Sequence, residues 1–157
     1  MPEPVSISLF RQQAGPYFTK AVHKHSPLAI RRGSEDLGLL LGRDEAWALL
    51  ADRLFTPEVM RGDDSVSIWL PEFALDGQGS TYAEAKTDLL EEVRVYIDEY
   101  LASAAEYRRA PNRAVHLPHV IKAYLADLRG ELESVIFPGP PELAVAAAGE
   151  VSVSAGR

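Results

Sequence analysis

Val5-Ser6-Ile7-Ser8-Leu9 alternates apolar and polar side chains, a period of two that predicts a short strand. The period then lengthens. Phe10, Ala14, Tyr17/Phe18, Ala21/Val22 and His25 recur every three or four residues, while Arg11, Gln12, Thr19 and Lys20 take other faces, which predicts an amphipathic helix. Pro16 has no N–H to donate and its ring crowds the carbonyl of Gln12, so Gly15-Pro16 should produce a kink or a fresh helix start. Ser26-Pro27 closes the element. Leu28-Ala29-Ile30 and Leu37 to Leu41 then flank the turn composition of Arg32-Gly33-Ser34, a hairpin pattern. Asp44 is placed to cap a following helix whose apolar face is Ala46, Trp47, Leu49, Leu50 and Leu54.

Thr56 to Asp64, with Pro57 and Gly62-Asp63-Asp64, has the composition of a linker. A second unit follows it. Ser65 to Leu70 reads as a strand stopped by Pro71, and Asp76-Gly77-Gln78-Gly79 as a turn-rich loop. Thr81-x-x-Glu84 forms a capping box at the start of the longest helical signal, roughly Tyr82 to Tyr107. Its stripe is Tyr82, Ala85, Leu89, Val93, Ile97, Tyr100/Leu101 and Ala104; Glu84, Asp88, Glu91, Glu92, Asp98 and Glu99 occupy other faces. A further helix is expected from about Leu117 to Arg129, with Gly130 near its end, and the small-residue tail from Pro138 to Arg157 is expected to be disordered without a partner. The chain therefore reads as α+β: a module over 1–55, a linker over 56–64, an α/β unit over 65–137 and a tail over 138–157.

A chain of 157 residues makes one typical domain or two very small ones, and no apolar run approaches the twenty residues of a spanning helix. The opening Met1-Pro2-Glu3-Pro4 lacks the basic and apolar segments of a secretory signal, so the expected location is the cytoplasm. With zero cysteines there is no disulfide framework and no thiolate metal site. The net charge of −7 conceals a segregation. Residues 1–33 hold Arg11, Lys20, Lys24, Arg31 and Arg32 against Glu3 alone, a net of +4, with His23 and His25 in addition. The remainder sets 11 basic against 22 acidic side chains, a net of −11. Such asymmetry fits two partners of opposite sign, one polyanionic and one basic; charge alone does not separate this from two ordinary solvated surfaces.

Within this pattern, Arg11-Gln12-Gln13, Lys20-Ala21-Val22, His25-Ser26-Pro27, Ile30-Arg31-Arg32-Gly33, Leu39-Leu40-Leu41, Asp44-Glu45 and Trp47 fall in register over some forty residues. Together they resemble the Phd/YefM family of type II antitoxins. The resemblance implies a two-fold dimer that binds a palindromic operator, with Arg11 and Arg32 at the matching basic positions, Gln12 and Gln13 adding polar contacts, and Lys24 and Arg31 positioning the backbone. Two departures are Gly15-Pro16 inside the usual first helix and Glu35-Asp36 in a turn that is more often Gly-rich. More weakly, Ile68-x-Leu70-Pro71-Glu72-Phe73 and Gly79-Ser80-Thr81-x-x-Glu84-Ala85 resemble the HicB antitoxin family over some twenty residues, although Ala74-Leu75 replace the usual Pro-Gly and one clear strand, not three, precedes the helix. This second resemblance implies a partial ribonuclease-H-like sheet and helix used for protein recognition.

No P-loop, Gly-x-Gly-x-x-Gly or Gly-x-Ser-x-Gly occurs, and His23-x-His25 and His116-x-x-His119 lack companion ligands at metal spacing. Solvated charge accounts for Asp63-Asp64 and Glu91-Glu92. The reading reached is a non-enzymatic antitoxin without cofactor or metal. It dimerises and represses its own operon through the first module, and it binds a cognate toxin through Glu84, Asp88, Glu91, Glu92, Asp98 and Glu99, with higher-order assembly in the toxin complex. Its rivals are a stand-alone dimeric regulator whose second half senses a ligand or dimerises, and a small enzyme or enzyme subunit.

Overall fold

The computed structural model describes residues 1–139. The tail expected from Pro138 onward thus lies almost wholly outside the described residues. The chain forms two compact units, one of Met1–Asp52 and one beginning at Arg53.

In the first unit, β1 (Val5–Ser6) is followed at once by α1 (Ile7–Gln12), so the expected five-residue strand shrinks to two. Ser6 causes the switch. It has the extended backbone of an N-cap, and its hydroxyl accepts from the Leu9 N–H at 3.2 Å, satisfying one of the donors a helix start leaves open. The helix breaks at Gln13 (φ −127°, ψ 36°), and α2 runs from Ala14 to Val22. Pro16 therefore falls in the first turn of a new helix, where its missing N–H leaves no gap. Next come β2 (Leu28–Arg32), β3 (Asp36–Leu40) and α3 (Arg43–Leu49). Gly42, not Asp44, is the N-cap of α3; Asp44 and Glu45 lie in its first turn, where the helix dipole favours acids. The helix stops before Leu54, which is exposed. The sheet has the order β1-β2-β3, with β1 parallel and β3 antiparallel to β2, and Gly33 turns the hairpin at φ +66°. His25, itself at φ +51°, bonds through Nδ1 to Glu45 Oε1 at 2.6 Å and ties the end of α2 to α3.

The second unit opens where a linker was expected. Glu58–Arg61 is strand β4, paired antiparallel with β5 (Val66–Leu70), and β6 (Leu75–Gly79) completes a β4-β5-β6 meander. Phe55 is buried in the core, Val59 packs against it, and the Thr56 N–H donates to Glu72 Oε1 at 3.0 Å. Pro57 and Gly62 disguised a four-residue strand, too short for alternation to declare itself. The expected loop at Asp76–Gly79 is likewise a strand. Its glycines serve contact with α4 (Tyr82–Ala102): a Cβ on Gly77 would lie 2.5 Å from both Leu89 N and Leu89 Cβ and closer still to Ala85 O. Helix and strand meet at a separation that leaves no room for a side chain at Gly77 or Gly79.

Beneath α4 the alternation of β5 sends Val66, Ile68 and Leu70 inward against Leu89, Val93 and Ile97. The long helix ends at Ser103 rather than Tyr107, and α5 (Ala104–Arg109), α6 (Pro111–Ala114), α7 (Leu117–Asp127) and α8 (Leu132–Ile136) follow. Gly130 at φ +70° ends α7 as expected, its N–H donating to Asp127 O at 2.9 Å. Two bonds hold the start of the unit to α7. Lys122, only 7% exposed, donates to Arg53 O at 2.6 Å, and His119 Nε2 bonds Leu54 O at 3.0 Å.

Gly77→Ala should destabilise the second unit by about 3 kcal/mol, since the methyl meets backbone that has nowhere to move. Urea unfolding monitored by circular dichroism measures it; a loss below about 1 kcal/mol would mean that α4 slides on the sheet with ease.

Candidate functional site

Of the basic-face residues, Arg11 lies in the last turn of α1, Gln12 ends that helix, and Gln13 is the joint between α1 and α2. Lys24 follows the C-cap of α2, and Arg31 and Arg32 end β2. All six are exposed. Parallel pairing sets Ser6, the cap of α1, opposite Arg31, which brings the start of α1 to the arginine end of the sheet. The structure separates the two arginines, however. Arg31 pairs with Leu37 and shares a sheet face with Ala29 and Leu39, whereas Arg32 pairs with Asp36 on the opposite face, its Nε 3.9 Å from the carboxylate. A ligand lying on one face meets one of them.

Within the hairpin the face carrying Arg31 is otherwise apolar and open: Leu37 is 65% and Leu39 63% exposed. Among the described apolar side chains of this unit only Ala21 and Leu28 are buried.

In the second unit the six acidic candidates all lie on α4 but do different things. Glu84 works inside the fold. Its Oε2 accepts from the Ser80 N–H at 2.8 Å and from the Ser80 hydroxyl, and these bonds hold its carboxyl below the usual carboxylate range. Asp88 Oδ2 accepts from the Gln78 N–H at 2.8 Å and so closes a donor on the edge strand β6. Glu91, Glu92, Asp98 and Glu99 face solvent. At about 100° per residue they surround Val95, 51% exposed, at its −4, −3, +3 and +4 positions. No cation of the helix offsets them: its two basic residues turn elsewhere, Lys86 to Glu133 and Arg94 to Asp127 at 2.9 Å. Like charges at this spacing cost a helix a few tenths of a kcal/mol per pair. The open sheet face and Val95 inside its acid ring were missed in the sequence, because both depend on exposure.

Among the described residues no group of three or more His, Asp or Glu side chains is placed to hold a metal, and no helix is long and apolar enough to cross a membrane.

A family model described as PHD-like, antitoxin of toxin-antitoxin, RelE/RelB, TA system, matches residues 1–137. No curated protein matches the chain. The crystal structure of an antitoxin part of a candidate toxin/antitoxin system from Syntrophomonas wolfei subsp. wolfei is similar with a TM-score of 0.72 at 22% identity, over 85% of this chain and 96% of that one, a likeness of fold.

A polar and aromatic cluster under α4 bears on stability rather than recognition. Arg113 Nη1 donates to Tyr96 Oη at 3.1 Å, and Tyr96 Oη lies 2.6 Å from His116 Nδ1. Tyr100 donates to Arg113 O at 3.2 Å, and burial pushes its phenol up. Burial first, then the charges of Arg113 and His119, lower the pKa of His116. The unfolded imidazole titrates near 6.5. Below that pH the unfolded chain binds a proton that the folded one resists, so the contribution of His116 is complete above about pH 6.5 and declines as pH falls toward the folded-state value. Denaturant midpoints between about pH 5 and 7.5 should rise with pH, and His116→Gln should flatten that slope. An unchanged slope in the variant would remove His116 as its cause.

Proposed function

The chain belongs to the PHD-like family of toxin–antitoxin antitoxins, of RelE/RelB type, and we propose that its two units divide the work between operator and toxin. In this reading the chain neutralises its toxin by direct binding, without catalysis, and represses its own operon. The observation that carries it is the exposed acidic ridge of α4, which Arg113 approaches only at its Glu99 end. Four exposed carboxylates around Val95 form an apolar anchor with a charged rim, suited to a basic protein surface. Glu84 and Asp88, engaged by Ser80 and Gln78, drop out of the contact set. Three antiparallel strands leading into a capped helix support the HicB-like reading of this unit as a protein-recognition module.

The first unit takes the Phd/YefM-like part. A unit of fifty-two residues with two buried apolar side chains gains from a second copy seated on the Ala29, Leu37 and Leu39 face, giving a homodimer. The dimer repeats its basic residues at two half-sites. Arg32, on the opposite sheet face beside Asp36, and Arg11 with Gln12 and Gln13 are then the groups left to meet operator DNA, while Lys24 reaches phosphate and Arg31 lies at the rim of the dimer contact. The boundary between the two roles falls at Asp52–Arg53 and not within Thr56–Asp64, because Phe55 and β4 belong to the second core.

The two activities should come apart by charge. Arg11→Ala with Arg32→Ala should weaken operator binding at least tenfold and lessen its salt dependence while leaving cells protected. Replacement of Glu91, Glu92, Asp98 and Glu99 by their amides should abolish protection and leave operator binding unchanged. Gel-shift titration on the promoter region and co-expression with the adjacent toxin gene read the two outcomes. Loss of protection in the arginine variant, with none in the amide variant, would contradict the division.

A further inference from the structure

We propose that the outer face of the second sheet seats an arginine side chain of the partner protein on Trp69, between Glu58 and Asp76. The site rests on the reading that the second unit binds a basic protein, and it lies on a different surface from the α4 ridge. Helix α4 covers the Gly77 face of the meander. The opposite face presents Glu58, Met60, Ser67, Trp69, Asp76 and Gln78, of which Met60 is 54% exposed and Trp69 is half-buried.

Register places Glu58, Trp69 and Asp76 in one row across the three strands. Neighbouring strands lie about 4.8 Å apart, so a carboxylate flanks the indole on each side. Gln78 Nε2 donates to Asp76 Oδ2 at 2.7 Å and orients it. Among the described residues neither carboxylate takes an ion pair and the indole takes no ring or cation contact. Trp47, by contrast, already carries the Arg43 guanidinium 5.0 Å from its ring centre. An aromatic face between two acids repels phosphate and favours a cation. Of the two basic side chains the planar guanidinium suits it better, since it stacks on the indole while its edges donate to both carboxylates.

The probe is a hexa-arginine peptide added to the intact chain at low salt, read by the indole N–H resonances of the two tryptophans, which a Trp47→Phe variant assigns. The expected result is a saturating shift of Trp69, with Trp47 unmoved, and a five- to tenfold weaker affinity in Glu58→Gln/Asp76→Asn, as two exposed ion pairs warrant. Hexa-lysine should bind this site more weakly. The proposal is overturned if Trp69 does not move at saturation, if the double variant binds as the parent does, or if hexa-lysine shifts Trp69 with equal affinity. Protection against the toxin, scored on Glu58→Gln/Asp76→Asn and on the amide-substituted ridge separately, distinguishes failure of this site from failure of toxin binding altogether.

Discussion

The amount of apolar surface that fifty-two residues can hide governs the first unit. Small domains bury a lower fraction of their surface than large ones, and this one keeps only Ala21 and Leu28 out of water among its apolar side chains. Its hairpin leaves Leu37 and Leu39 open on one sheet face. Burying such a leucine fully is worth roughly 1.5–3 kcal/mol, a large share of the stability of so small a unit. The proposed dimer follows from that shortage. In the proposed reading it also decides which arginines remain for operator DNA, because strand alternation turns Arg31 toward the open leucine face and Arg32 away from it.

The second unit resolves the same difficulty internally. Gly77 lets α4 rest directly on β6, and the row Val66, Ile68, Leu70 meets Leu89, Val93 and Ile97 beneath it. With its core closed from inside, this unit turns the acids of α4 outward, while apolar side chains such as Met60, Val115 and Leu128 are exposed elsewhere on it. Lys86 and Arg94 bond to Glu133 and Asp127, and Glu91, Glu92, Asp98 and Glu99 remain exposed around Val95.

Long periodic signals were legible in the sequence. The α+β character, the hairpin, the capping box at Thr81 and the stripe of the long helix all appear in the structure. Short elements were not: β4 has four residues beside Pro57 and Gly62, and β6 reads as a loop because its glycines answer to a helix packed against it. The same limit applied to the surfaces. Sequence marks Glu84 as the acid of a capping box but gives no sign that Asp88 is engaged, and both stood alongside Glu91 and Glu99 as recognition candidates until their partners Ser80 and Gln78 came into view. Trp69 gave no signal by itself, since the row joining it to Glu58 and Asp76 exists only through strand register.

The account turns on whether the first unit completes itself with a second copy of the chain. Sedimentation equilibrium of the intact protein over a micromolar concentration series measures this directly. A mass of about twice the 17.2 kDa of one chain, falling to a single chain in Leu39→Asp, is the predicted result. A single-chain mass at every concentration, with the first unit still unfolding cooperatively, would contradict it.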